Sequence, residues 1–220
     1  ASDVYKRQAM GYQTTASGGQ STAMGYATEA SEVYSTAMGI RTTASGNSST
    51  AMGGETIASG YVATAIGAQT EASGYYSTAM GLSTDAIGQS STAMGYNTTA
   101  NESNSTAMGS TTTASGETST AMGYGTVAQG HYSTTMGYET VATNFHSTAM
   151  GRKTYASGIN STAMGYYTTA SDRSSLVIGE YNLLGSTVTN SATDFNLDNT
   201  ALVIGNGADA NNKSDALTVL

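Results

Sequence analysis

Short apolar segments recur along the chain at a fixed distance, each with the same alternation of polar and apolar residues. The methionines from Met10 to Met164 follow a 14-residue period, with one double interval in which Ile66 occupies the missing position. Ile178 continues the series at the same spacing. A strict period of this kind indicates a repeat protein in which each copy is one structural unit.

Reading the copies in register gives the consensus Ser-Thr-Ala-Met-Gly-x-x-Thr-x-Ala-Ser-Gly-x-x. Gly follows the Met position in all 13 copies, from Gly11 to Gly179. The second Gly column is replaced in four copies, by Glu32, Glu102, Asn144 and Asp172. The two columns together hold 21 of the 27 glycines, so the unusual composition follows from the repeat.

The repeat predicts short β-strands rather than helices. A helix would carry a Gly in nearly every seven residues, at about 1 kcal/mol each relative to Ala, among many Ser and Thr. In a strand, Thr22 and Met24 would share one face, as would Thr28 and Ala30. We therefore expect the constant columns to point into the coil and the variable columns to face solvent.

Each half of the repeat ends in Gly, which suits a tight turn with positive φ. Glu32 and Glu102 do not suit a left-handed conformation, so we expect that this second turn is not strictly left-handed. The predicted fold is all-β: a parallel β-solenoid of 14-residue coils, each with two short strands and two turns. Twelve coils stacked at about 4.8 Å would extend over roughly 60 Å.

The stacked Met and Ile side chains would form one apolar stripe. Two interpretations are open: the stripe fills the interior of each coil, or it is buried by self-association, for which a cyclic trimer is the expected form. A single chain with only Ala and Thr between its strands would have a thin core. The stripe consists of Met24, Met38, Met52, Ile66, Met80, Met94, Met108, Met122, Met136, Met150, Met164 and Ile178.

Composition and charge exclude several classes of protein. The chain has no Cys, which excludes disulfides and thiolate chemistry, and no Pro, which excludes collagen. No run approaches the roughly 18 apolar residues of a membrane span, so we expect no direct membrane insertion by this segment. The net charge of -8 argues against nucleic acid as a partner.

No catalytic, cofactor-binding or metal-binding residues are predicted, and we expect no enzymatic activity. His131 and His146 fall in variable turn columns of neighbouring coils without matching carboxylates, so we expect both to be exposed. Asn206, Asp209 and Asp215 form a weak acidic cluster that we interpret as a solvated loop.

Tyrosine is the informative residue type in the variable columns. Tyr supplies amphipathic contact area at low entropic cost, as in binding loops. The column that follows the Met-column Gly is therefore a candidate adhesive surface, although stacked rings that only stabilise the turns are an equal alternative. Its tyrosines are Tyr12, Tyr26, Tyr96, Tyr124, Tyr138 and Tyr166.

The columns resemble the head domain of trimeric autotransporter adhesins, the YadA-like head. Its motif reads approximately Ser-Val-Ala-Ile-Gly-x-x-(Ser/Thr)-x-Ala-x-Gly. Here it stands as Ser21-Thr22-Ala23-Met24-Gly25 and, closer to the family, as Ser175-Leu176-Val177-Ile178-Gly179 and Ala201-Leu202-Val203-Ile204-Gly205. Thr-Met replaces the usual Val-Ile in most copies, which implies a softer and more polar trimer core.

This resemblance implies a left-handed parallel β-roll, assembled as a homotrimer, secreted to the bacterial cell surface and held at the outer membrane by an anchor outside this segment. The implied function is adhesion to extracellular matrix, a glycan or a cell-surface receptor. Two alternatives stay open. The repeats are also similar to those of phage and other surface fibres, and regular Thr columns are similar to those of ice-binding solenoids. Because both Thr columns are expected to point inward, ice binding is the minor alternative.

The ends of the chain depart from the columns. Residues 1–8 resemble translated adapter sequence and are expected to be a non-native scar. Residues 9–179 are the predicted head repeats. Residues 180–220 are expected to be an irregular, neck-like continuation that is truncated, since the interval from Ile178 to Ile204 is two positions short of two full repeats.

Overall fold

The computed structural model describes residues 6–184 and 191–220, which contain β-strands and no α-helix. Two compact units are present, Ala1–Thr111 and Thr112–Leu220. Each of the first 12 copies of the repeat contributes one strand of five residues and one of two residues, joined by turns. The predicted all-β parallel solenoid of 14-residue coils is therefore confirmed.

In the first unit the five-residue strands begin at the first Thr position of the consensus, which is Gln8 in β1, and the two-residue strands end at the invariant Ala. The long strands are β1 (Gln8–Tyr12), β3 (Thr22–Tyr26), β5 (Thr36–Ile40), β7 (Thr50–Gly54), β9 (Thr64–Ala68), β11 (Thr78–Leu82), β13 (Thr92–Tyr96) and β15 (Thr106–Ser110). The short strands are β2 (Thr15–Ala16), β4 (Glu29–Ala30), β6 (Thr43–Ala44), β8 (Ile57–Ala58), β10 (Glu71–Ala72), β12 (Asp85–Ala86) and β14 (Thr99–Ala100).

The second unit repeats this order and ends in two further long strands. Its short strands are β16 (Thr113–Ala114), β18 (Val127–Ala128), β20 (Val141–Ala142), β22 (Tyr155–Ala156) and β24 (Thr169–Ala170). Its long strands are β17 (Thr120–Tyr124), β19 (Thr134–Tyr138), β21 (Thr148–Arg152), β23 (Thr162–Tyr166), β25 (Leu176–Glu180), β26 (Leu202–Asn206) and β27 (Asp215–Val219).

Strands of successive coils pair in parallel with every residue opposite its equivalent. In the long sheet of the first unit, for example, Thr78 pairs with Thr92 and Met80 with Met94. In the short sheet Glu71 pairs with Asp85. Within each unit, this fixed offset of one repeat places equivalent residues of successive coils side by side in a file.

The interior of each coil is built from small side chains. From the second coil onward, the Ala of the long strands and the Ala of the short strands, such as Ala93 and Ala100, have no exposed surface. The Ser before the long strand and the Thr before the short strand are buried beside them. Many of the buried Thr hydroxyls, including those of Thr84 and Thr98, have no hydrogen-bond partner among the described residues. The sheets thus lie close together around a narrow, partly polar core.

Both turns of every coil contain a residue in the left-handed conformation, and most of these residues are not glycine. They recur every seven residues from Gln13 to Tyr181, with φ between 41° and 62°. An L-residue there costs roughly 1–2 kcal/mol. The cost is offset because these N–H groups donate to a carbonyl of the preceding coil, as Ala27 does to Tyr12 and Tyr34 to Gly19, both at 2.9 Å.

The two glycine columns have different structural roles. The glycines after Met have φ between 99° and 132°, as expected for a turn that requires positive φ. The second column does not have positive φ, so the expectation of positive φ is wrong for its glycines, whereas Glu32 and Glu102 are not left-handed, as expected. A Cβ at Gly18 would overlap the carbonyl of Glu32, so close approach of the next coil explains the preference for Gly.

The last regular coil is closed by a side chain. The buried Asn182 amide accepts a hydrogen bond from the Thr169 N–H (2.8 Å) and donates one to the Thr169 carbonyl (3.0 Å), as a further short strand would. The long sheet continues: Leu176 pairs with Leu202 in parallel across the shortened interval, and β27 then pairs antiparallel with β26. The neck-like character of residues 180–220 stays a prediction, and residues 185–190 lie outside the described residues.

At the other end, Gln8 begins β1 and pairs with Thr22. Residues 1–5 of the expected scar lie outside the described residues. The division of the chain at residues 8 and 179 stays a prediction.

Replacement of Gly95 by Ala should destabilise the protein by about 3 kcal/mol or more, since φ is +126° and the new Cβ would overlap the Gly109 carbonyl. Gly54→Ala is the matched control, because Gly54 lies in the same sheet with open space around it. The control should change stability by no more than about 1 kcal/mol. Denaturant unfolding measures both, and equal losses would contradict the assigned role of Gly95.

Candidate assembly and binding surfaces

The outer face of the long strands carries the methionines. Ser21 and Ala23 are buried, whereas Thr22 is half-buried and Met24 is 37% exposed. The expectation that all constant columns point inward is therefore wrong for the first Thr column and for Met. The physical reason is space: only Ser and Ala fit between the closely spaced sheets, so the larger pair of the alternation lies outside.

The apolar stripe is thus a surface of the single chain. The interpretation in which Met fills its own coil is contradicted, because no Met or Ile of the stripe is buried. The Thr of the short-strand half, such as Thr28, does point inward as expected. The exposed members of the stripe are Met24, Ile66, Met136 and Met164, and the half-buried ones are Met38, Met52, Met80, Met94, Met108, Met122, Met150 and Ile178.

Ice binding is the minor alternative only if both Thr columns point inward. The first Thr column points outward, so this argument against ice binding does not hold. Thr22 and its equivalents are half-buried on the outer face rather than inside the coil. The same face, however, presents the longer Met side chain two residues along every strand. A flat array of hydroxyls is therefore interrupted in each coil.

Four of the six tyrosines after the Met-column Gly form two stacked pairs. Tyr12 and Tyr26 stack with ring centroids 5.5 Å apart and planes 12° from parallel, and Tyr124 and Tyr138 stack at 5.0 Å and 9°. Five of the six are exposed and Tyr166 is half-buried. Both proposed roles, adhesion and stabilisation of the turn, are compatible with rings that stack through their faces and present their edges to solvent.

Arg152 interrupts the tyrosine file of the second unit. Its guanidinium carbon lies 5.5 Å from the Tyr138 ring centroid and 5.2 Å from that of Tyr166. Both are cation–π distances. In the neighbouring column, the Lys153 ammonium lies 3.4 Å from the Glu139 carboxylate and 5.2 Å from the centroid of the Tyr167 ring. This turn is therefore a mixed aromatic and cationic surface.

A cluster of three tyrosines closes this turn. Tyr181 stacks on Tyr167 at 4.8 Å and meets Tyr166 edge-to-face at 5.1 Å. The hydrogen bond with Tyr166, together with burial, raises the pKa of Tyr181 to about 12. Sequence analysis did not select Tyr167 or Tyr181, although their separation by one repeat was a usable signal.

The opposite turn carries a second aromatic group. His131 stacks on Phe145 at 5.0 Å, and Tyr132 stacks on His146 at 4.9 Å. Both histidines are exposed and lie in adjacent columns of neighbouring coils, as expected. His131 Nδ1 is also 3.5 Å from Glu117 Oε2.

Two acidic residues near the end of the chain accept hydrogen bonds from backbone N–H groups. Asp209 accepts hydrogen bonds from Asn211 and Asn212, which lower the pKa of its carboxyl group. Asp215 accepts one from the Leu183 N–H. Among residues 6–184 and 191–220, no three His, Asp or Glu side chains are placed to hold a metal ion.

The chain belongs to the YadA head domain repeat family. The family model, which spans two copies of the repeat, matches residues 9–28, 30–56, 58–84, 86–112, 114–140, 142–168 and 156–179. The resemblance seen in the sequence is confirmed, and each full-length match corresponds to two 14-residue coils. The family is one of adhesive and structural domains of the trimeric autotransporter type, located outside the cell at its surface.

The curated proteins contain no match to this chain. Over the part of the chain that is described, no helix is long and apolar enough to span a bilayer.

The tyrosine cluster makes stability depend on pH at the alkaline end. Because the pKa of Tyr181 is raised from 10.0 to about 12, the folded state holds its proton more tightly than the unfolded state. The stabilisation is present below about pH 10 and should be lost as the pH rises to about 12. Spectrophotometric phenolate titration with unfolding curves measures this, and Tyr166→Phe should bring the Tyr181 titration closer to about pH 10. An unchanged titration in that variant would contradict the assigned hydrogen bond.

Proposed function

We propose that this chain is the head segment of a homotrimeric surface adhesin, in which the Met stripe is the trimer interface and the turn columns bind the target. The observation that carries this proposal is the outward apolar stripe. A monomer would expose a continuous file of Met and Ile in each unit, which is unusual for a soluble protein.

A threefold axis parallel to the stacking direction would bury this stripe coil by coil. Each Met would meet its two symmetry equivalents at the same level, so one repeat supplies one layer of the interface. Because a half-buried Thr lies beside each Met, this interface would be more polar than an interface built from Val and Ile side chains. Long, unbranched Met side chains can fill the irregular gaps that remain.

The target is proposed to be extracellular matrix, a glycan or a cell-surface receptor. Turn columns rich in Tyr, Arg and His repeat along the chain and would be present three times in a trimer. Weak contacts of this kind gain strength through avidity, without one deep site. An outer-membrane anchor elsewhere in the protein would hold the head at the bacterial surface.

The alternative role is a spacer in a phage or other surface fibre. A spacer would also be trimeric but would not be adhesive. A trimer whose turn columns bind no target would therefore favour the spacer role.

The trimer is tested by light scattering, which should report about three times 22.2 kDa. Met94→Lys should shift this mass toward that of one chain, because three ammonium groups would converge at one level of the interface. Thr99→Lys is the control, since Thr99 lies on the outer face of the short sheet beside Asp85 and should leave the trimer intact. A wild-type monomer would contradict the proposed assembly.

Adhesion is tested by the retention of protein-coated beads on a surface of solubilised basement-membrane matrix. Replacing Tyr124 and Tyr138 by Ser, the residue at position 110 of the same column, should lower retention by roughly tenfold or more because avidity multiplies each loss. Thr99→Ser, on the outer face of the short sheet and outside both turns, is the control. Equal retention of all three proteins, with the trimer preserved, would exclude the tyrosine column as the adhesive surface.

A further inference from the structure

Two pairs of tyrosines are stacked in register on successive coils of the same sheet. Tyr124 and Tyr138 occupy equivalent positions of paired strands, as do Tyr12 and Tyr26. Their rings are nearly parallel, at 9° and 12°, with centroids 5.0 and 5.5 Å apart. All four rings are exposed, between 39% and 63%. Backbone pairing therefore holds two accessible phenols side by side at each place.

We infer that these two pairs are sites of oxidative dityrosine cross-linking between adjacent coils, with hydrogen peroxide and a peroxidase as the oxidant class. Each phenol loses one electron and one proton, which gives a tyrosyl radical. Two adjacent radicals join through their ortho carbons. The ortho hydrogens leave as protons while the phenol oxygens regain theirs, so the product has two hydrogens fewer. One peroxide takes up these two hydrogens and becomes two waters.

The fold favours this reaction in two ways. Because the pairing strands fix the partner, coupling needs only a rotation of exposed side chains out of the stack, and such side chains move within nanoseconds. The Tyr138 phenol also hydrogen-bonds to Glu139. That carboxylate can accept the proton released when Tyr138 is oxidised, which makes removal of the electron easier.

Neighbouring tyrosines show why these pairs are selected. Tyr96 occupies the same column, but the strands on either side place Leu82 and Ser110 opposite it. Tyr166 is separated from Tyr138 by Arg152. Tyr132 stacks on His146 rather than on another tyrosine. None of these three has a stacked, in-register phenol partner on the next coil, so we expect no comparable cross-link from them.

Tyr167 and Tyr181 also stack, with planes 13° from parallel, but Tyr181 is only 9% exposed. Because a peroxidase acts on accessible phenols, we do not expect a cross-link there.

The methionines of the repeat make the test direct. Cyanogen bromide cleaves after Met, so it places Tyr124 in fragment 123–136 and Tyr138 in fragment 137–150, and likewise Tyr12 in 11–24 and Tyr26 in 25–38. The protein is treated with peroxidase and limiting peroxide, and any methionine sulfoxide is reduced with thiol so that cleavage stays complete. Mass spectrometry and dityrosine fluorescence then identify the linked fragments.

The expected result is two products that join different fragments, 123–136 with 137–150 and 11–24 with 25–38, each two hydrogens lighter than its parts. Tyr61 and Tyr75 are 6.1 Å apart but tilted by 49°, and any link between them would lie inside fragment 53–80 and would join no two fragments. Fragment 95–108, which contains Tyr96, should stay unlinked. The chain should still migrate as one 22.2 kDa species on a denaturing gel, because both links are internal.

Tyr138→Phe keeps the stacked ring but lacks the phenol, so it should abolish the first product and leave the second. Tyr132→Phe removes the other tyrosine of fragment 123–136 and should leave both products. The inference is overturned if Tyr138→Phe leaves the first product intact, or if links form mainly between chains or from Tyr96. These outcomes do not depend on whether the chain is an adhesin.

Discussion

In-register pairing of residues one repeat apart is the interaction on which the rest of this structure depends. Within each unit it aligns equivalent residues into files, and it brings successive backbones so close that a Cβ at Gly18 or Gly95 would overlap the next coil. It also satisfies the N–H groups of the left-handed turn residues. Stability is therefore distributed along the stack, with each coil supported by its immediate neighbours, rather than concentrated in one large core.

This pairing also determines which side chains are available for function. Because the sheets lie close together, the interior accepts Ala, Ser and Thr, and only the final coils admit Val177 and Val203. Larger side chains are placed outside, where the files concentrate them by type. Met forms an apolar surface suited to self-association, while Tyr, Arg and His form aromatic and cationic turns. One repeat thus produces two surfaces with different chemistry.

The repeat length, the strands and the parallel register could be predicted from the sequence, because a 14-residue period with Gly at fixed places permits few arrangements. The direction of each face could not be predicted from hydrophobicity. Alternation places Thr22 with Met24 and Ser21 with Ala23, but it does not say which pair is inside. Side-chain size could have identified the inward face, because the Ala23 column holds only small or β-branched residues.

The turns were harder to predict than the strands. The left-handed turn residues were missed because Arg41, Tyr34 and Val62 do not favour that conformation, and hydrogen bonds to the preceding coil impose it. Stacked pairs such as His131 and Phe145 became evident only once the offset was applied to the variable columns.

The Asn182 amide, which closes the short sheet as a further strand would, has a consequence for how such chains change over generations. Asn182 forms these hydrogen bonds only with Thr169 of the last regular coil, so they do not depend on how many coils come before it. Gain or loss of a whole coil by recombination between near-identical gene segments would leave both that closure and the register intact. A change of half a coil would instead place a five-residue strand beside a two-residue strand, and equivalent residues would no longer pair. The length of this fold can therefore change by whole coils, because the strands at both ends of an inserted coil still pair in register with their neighbours.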